Sequence, residues 1–153
     1  MRINTSGYKI LVLVNMIEHV NIVKDLLDDV YKDSGYDICR FHSEVPKAEK
    51  DYCKEHGSLI ISTYQSFGVG VNVESIKYVI TCGMCNMIDD NQAAGRARPL
   101  ADGSDVLYFI LADKGFAYTK EKLPIRLKYL KKEKIKSIER IKYDVSEDNC
   151  LKK

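Results

Sequence analysis

Residues 9–14 read KILVLV, and after the lysine every position is apolar, three of the five β-branched. A strand with no polar side has to be covered on both faces, which suits the interior of a parallel sheet. The period then changes. Met16, Val20, Val23, Leu27 and Val30 recur every three or four residues, as one face of a helix requires, until Gly35 breaks the pattern. A buried strand followed by an amphipathic helix is the first half of a βαβ unit.

The same alternation runs through most of the chain. YDICRF at 36–41 reads as a second strand, Pro46 opens a polar helix through Glu55, and SLIIS at 58–62 reads as a third strand. IKYVIT at 76–81 gives a fourth, Met87 to Ala97 a helix, and DVLYFIL at 105–111 a fifth. No two strands are joined by a tight hairpin signal. The expectation is an α/β fold, a mostly parallel sheet with helices on both faces. A basic amphipathic helix is expected to start at Pro124 and carry Leu127, Leu130, Ile138 and Ile141 on one side. With 153 residues the chain has the length of one ordinary domain.

Charge divides the chain unevenly. Residues 119–142 hold ten Lys or Arg and three Glu, so this stretch carries +7 while the remainder carries −5. Such asymmetry marks a candidate nucleic-acid contact, against the commoner alternative of a solvated lysine-rich helix face. The 5 cysteines are odd in number and irregular in spacing, which argues against a disulfide framework. Only Cys82 and Cys85 form a CxxC pair, and without a second pair no metal site is expected. The apolar runs are far shorter than the roughly 20 residues a spanning helix needs, and MRINTSGYK has no signal-peptide pattern. Those features point to an intracellular protein with no membrane partner.

Two loops that would follow strands are rich in functional residue types. STYQSFGVGVN, 62–72, offers the hydroxyls of Ser62 and Thr63, the amide of Gln65, and glycines including Gly70 that permit close approach of a phosphate. Alone, it is more simply a glycine-bearing turn that redirects the chain. QAAGRARP, 92–99, sets Gln92, Gly95, Arg96 and Arg98 within about two helical turns. There the guanidinium forks are suited to binding phosphate or stabilising charge on a transferred phosphoryl group.

In this order, these segments resemble the C-terminal RecA-like domain of superfamily 2 helicases over roughly residues 8–115. KILVLVN resembles motif IV, RFHSE carries His42 after the second strand, STYQSFGVGVN resembles motif V and QAAGRARP motif VI. FGVGVN followed by IKYVI looks closest to RecQ-like DNA helicases, with Asn72 at the motif's last position. One departure stands out: Arg98 follows Arg96 at the Gly-Arg-x-Arg spacing of the Dicer-like branch, where RecQ members have a longer interval.

The resemblance implies a domain at 1–115 and a lysine-rich helical tail at 116–153. It implies half of an ATP-dependent 3′–5′ DNA helicase, with DNA repair and recombination as its setting and the nucleus as its location. His42, Ser62, Thr63 and Gln65 would meet the nucleic-acid backbone. Gly70, Asn72, Gln92, Gly95 and Arg96 would face ATP, and Arg96 and Arg98 would be the catalytic arginines. The alternatives are a non-catalytic nucleic-acid-binding fragment and a Dicer-like, RNA-dependent translocase half. No GxxxxGK[ST] loop or Asp-Glu Mg²⁺ box occurs in these residues. ATP hydrolysis is therefore expected only with an N-terminal RecA-like domain that holds Mg²⁺.

Overall fold

The computed structural model describes residues 7–68, 71–83, 89, 92, 95, 100–113, 115–132, 137–139 and 141. Five strands, β1 (Lys9–Val14), β2 (Ile38–Phe41), β3 (Leu59–Thr63), β4 (Ile76–Cys82) and β5 (Leu107–Leu111), form one sheet in the order β2-β3-β1-β4-β5. Every neighbouring pair is parallel. The KILVLV run is therefore the central strand, in register with β3 from Ile10 opposite Leu59 to Val14 opposite Thr63. On its other side a register shift between Lys9 and Ile10 sets Ile10 opposite Tyr78. This is the α/β parallel architecture expected of the sequence.

Because side chains alternate across a strand, β1 supplies two cores at once. Leu11 and Leu13 join Phe41, Ile60, Val79 and the α2 residue Cys53 on one face, where α2 is Lys47–His56. Ile10, Val12 and Val14 join Ile38, Ile61 and Val20 on the other. Val20, Val23 and Leu27 belong to helix α1 (Ile17–Tyr31) and face that core, whereas Met16 and Val30, expected on the same side, are exposed. Gly35, which ends that pattern, has a positive φ of 72°, a conformation glycine adopts without steric cost.

Two expectations are corrected. The stretch read as a glycine loop after β3 contains a short helix, α3 (Tyr64–Gly68). Tyr64 and Phe67 are three residues apart, so one helical turn sends both rings into the Leu11 core, where Phe67 meets Phe41 edge-on. The tail helix, α4 (Ala117–Leu130), begins well before Pro124, which lies inside it. A proline in a helix interior forfeits a backbone hydrogen bond, but α4 continues across it to Leu130. Ile138 and Ile141, expected on the same helix, lie beyond its end. The helix expected at 87–97 falls largely outside the described residues, although Asp89 and Gln92 are helical.

Cys39, Cys53 and Cys82 carry free thiols. Cys39 on β2, whose thiol donates to Asp37 Oδ1 at 3.7 Å, and Cys53 on α2 act on each other, which holds the Cys39 thiol below its usual range and pushes that of Cys53 up. No helix among the described residues is long and apolar enough to cross a membrane.

The turn after α2 depends on a missing side chain. A Cβ on Gly57 would lie 2.6 Å from the carbonyl oxygen of Cys53 and 3.1 Å from Cys39 Sγ. The φ of −56° at Gly57 is available to any residue, so the constraint is space. Gly57→Ala is expected to destabilise the domain by about 1–3 kcal/mol through overpacking. Urea unfolding should show a lower midpoint at unchanged slope, and an unchanged midpoint would refute the close approach.

Candidate functional site

Parallel pairing brings the carboxyl ends of β1, β2 and β3 to one edge of the sheet, where open α/β folds bind ligands. A cleft of about 390 Å³ opens there. Asn15 and Met16 enter it from the end of β1, Ser43 and Glu44 from the end of β2, and Thr63, Gln65 and Ser66 from the β3–α3 junction. The first turn of α1 forms a further wall through Ile17 and Glu18, with Asn21 beyond. Helix α1 has Met16 at its N-cap and no side-chain cap. Its first N–H groups therefore need partners from outside the helix, and a helix start of this kind attracts anions.

The residues singled out from sequence fall into distinct environments. Ser62 is fully buried and its hydroxyl donates to the Phe41 carbonyl, tying β3 to β2. Thr63 ends β3 and begins α3: its Oγ1 accepts the Ser66 N–H at 3.1 Å, as an N-cap does, and donates to Ser66 Oγ at 2.9 Å. Gln65 is exposed and faces the cleft. Asn72 and Gly95 are exposed, and Gln92 is half-buried. Gly70, Arg96 and Arg98 lie outside the described residues.

Gln92 joins the two loops that the sequence set apart. A Cβ on Gly68 would lie 2.2 Å from Gln92 Oε1, so the amide rests directly on the α3 backbone. Gln92 therefore meets the first loop at Gly68, a glycine whose value is its lack of a side chain.

His42 is only 5% exposed, and both its ring nitrogens lack a hydrogen-bond partner among the described residues. Burial is the largest influence on it and lowers its pKa from the ordinary 6.5, with Glu44 opposing and Arg40 and Lys50 adding to the shift. The imidazole is neutral at pH 7. His42 thus sits beneath the loop that carries Ser43 and Glu44, with its ring in the protein interior.

Asn15, Ser43, Glu44 and Ser66 were not singled out from the sequence. Asn15 immediately follows one expected strand end and Ser43 lies two residues beyond another, and the strand-end rule applied at every strand would have marked them. Among the described residues the cleft lining includes two glutamates and no lysine or arginine. Its donors are amides, hydroxyls and backbone N–H groups. Among the described residues no cluster of three His, Cys, Asp or Glu side chains is placed to hold a metal ion. At Cys82, the described half of the CxxC pair, burial pushes the thiol pKa up.

The family model for the helicase conserved C-terminal domain matches residues 2–99. Among curated proteins, none matches the chain by sequence. The solved structure of the C-terminal part of the Fun30 ATPase domain is similar, with a TM-score of 0.55 at 22% identity. That similarity covers 86% of this chain and 41% of the Fun30 chain, so this chain spans well under half of it. The C-terminal domain of the DEAD-box protein Dbp5 aligns with a TM-score of 0.60 at 15% identity, over 80% of this chain and 70% of that one. At these identities the likeness is one of fold.

His42 gives the site a signature in pH. Its folded pKa lies below the unfolded value of roughly 6.5, so the unfolded chain takes up the proton first. The stabilisation is present above the unfolded pKa and is lost as pH falls through the folded pKa. Wild-type stability should therefore fall between pH 7 and pH 5 more steeply than that of His42→Phe, measured by denaturant titration at each pH. Parallel profiles would contradict a neutral, buried imidazole.

Proposed function

Because the chain belongs to the helicase conserved C-terminal domain family, we propose that it is the C-terminal half of an ATP-dependent nucleic-acid motor, RecQ-like and acting on DNA. The observation that carries this reading is the cleft at the carboxyl ends of β1, β2 and β3. It joins the uncapped start of α1 to the amides of Asn15, Asn21 and Gln65 and the hydroxyls of Ser43, Thr63 and Ser66. These groups suit phosphodiester oxygens, because backbone and neutral side-chain donors position a strand without reading its bases.

Glu18 and Glu44 in the same wall oppose a clamp of high charge. A strand held by neutral donors beside two carboxylates is held lightly, which is compatible with movement along it. Long-range attraction then falls to the basic tail, where Lys120, Lys128, Lys131 and Lys132 are exposed. In this reading His42 and Ser62 support the strand-facing loops from beneath.

The ATP side rests on the resemblance of residues 92–99 to motif VI. Gln92, Gly95, Arg96 and Arg98, together with Gly70 and Asn72, face nucleotide bound mainly by an N-terminal RecA-like domain, which also holds Mg²⁺. The bound Mg²⁺–ATP supplies the phosphoryl chemistry. The arginines of this chain contribute charge to it, an effect worth roughly 10³–10⁵ in rate for an arginine finger. A second reading, an RNA-dependent translocase, is favoured by the spacing of Gly95, Arg96 and Arg98 alone.

In a polypeptide containing both domains, Arg96→Ala should reduce strand-stimulated ATP turnover by about 10³ or more while leaving strand affinity within about threefold. Full turnover in that variant would sink the assignment, and stimulation by RNA in place of DNA would select the second reading. Replacing Lys128, Lys131 and Lys132 by Gln should flatten the salt dependence of single-strand binding, by about 0.7 in log–log slope for each phosphate that is no longer neutralised. An unchanged slope would remove the tail from the interface.

A further inference from the structure

Arg126 lies in the middle of α4, outside the residues that the family model matches, and is only 4% exposed. Its guanidinium reaches the carboxyl end of β4. Nη1 donates to the Gly83 carbonyl at 3.1 Å and Nη2 donates to Thr81 Oγ1 at 3.0 Å. The Thr81 hydroxyl in turn donates to the Phe109 carbonyl at 3.1 Å, which extends the chain of bonds to β5. Both strands that flank residues 84–99 are therefore held by one side chain from the tail.

Gly83 has a second neighbour. Its φ is +85°, a left-handed turn at the end of β4, and a Cβ there would lie 3.2 Å from Asn15 Nδ2. Asn15 lines the cleft at the end of β1. Gly83 thus sits between the cleft on one side and Arg126 on the other, at the point where the chain enters the stretch carrying Gln92 and the motif VI arginines. A buried guanidinium costs desolvation, and a well-packed apolar side chain often serves stability as well or better. What an arginine adds is a planar fork that sets two acceptors at fixed distance.

We propose that Arg126 is a positioning residue that couples the strand-binding cleft to the ATP-facing segment, by fixing Gly83 against Asn15 and tying β4 to β5 through Thr81. The inference rests on the motor reading above. Arg126 acts through Gly83 and Thr81 and determines where Gly83 holds the end of β4. Its loss uncouples strand binding from turnover and leaves each ligand bound.

The test uses the two-domain polypeptide with Arg126→Met, Arg126→Lys and Thr81→Val. Strand-stimulated kcat should fall about tenfold or more in Arg126→Met and Thr81→Val, since small misplacements at a reacting centre are costly. Arg126→Lys should be intermediate, because an ammonium lacks the fork. KM for ATP and Kd for single-stranded DNA should stay within about twofold of wild type. Should Arg126→Met fail to fold, Arg126→Lys and Thr81→Val give the answer. Wild-type stimulated turnover in any folded variant overturns the proposal, as does a fall in turnover matched by an equal fall in strand binding. A wild-type motor with no strand-stimulated ATPase overturns the motor reading and this inference together, whereas an active motor indifferent to Arg126 overturns this inference alone.

Discussion

The structure depends on the burial of β1 from both sides. Leu11, Val12, Leu13 and Val14 have almost no exposure, and β1 pairs with β3 on one edge and β4 on the other. Its alternate residues anchor two separate cores, one beneath α1 and one beneath α2 and α3. A polar residue anywhere in 10–14 would have no solvent-facing side to occupy. Because pairing on both edges is parallel, all the carboxyl ends fall on one side of the domain, and that places Asn15, the His42 loop, Thr63 and Gly83 along one rim.

Hydrogen-bond donors and positive charge are separated along this chain. Among the described residues the cleft presents neutral donors beside Glu18 and Glu44, while residues 119–142 carry +7 of the chain's charge. Charge acts over roughly a Debye length and steers an approaching polyanion, whereas hydrogen-bond donors act only on contact. Helix α4 is also fastened to the sheet, because Arg126 bonds to Gly83 and Thr81 at the end of β4.

Much of this was legible in the residues themselves. KILVLV, SLIIS and IKYVIT are short apolar runs that become strands within a residue or two of their expected bounds, and the Val20–Val23–Leu27 spacing marked the inward side of α1. Such patterns are local, and burial enforces them. The loop at 62–72 was less legible, because its glycines are the pattern of a turn while Tyr64 and Phe67 need a one-turn helix to reach the core. Pro124 misled for the opposite reason: its local penalty is real, but the buried side chains of Thr119, Arg126 and Leu130 hold α4 together on both sides of it.

By itself the sequence determined the alternation of strands and helices, the central place of an apolar strand, the imbalance of charge and the family likeness of the two loops. Each is a property of residue type and spacing along the chain. Only the tertiary structure decided that the Ser62 hydroxyl belongs to Phe41, that His42 is buried, that Gln92 rests on Gly68, and that Arg126 grips Gly83 and Thr81. These pairs bring different segments together, Arg126 being 43 and 45 residues from its two acceptors. No periodicity encodes such a meeting, because it arises where packed elements happen to leave donors and acceptors facing one another, and that is settled by the shape of the whole sheet.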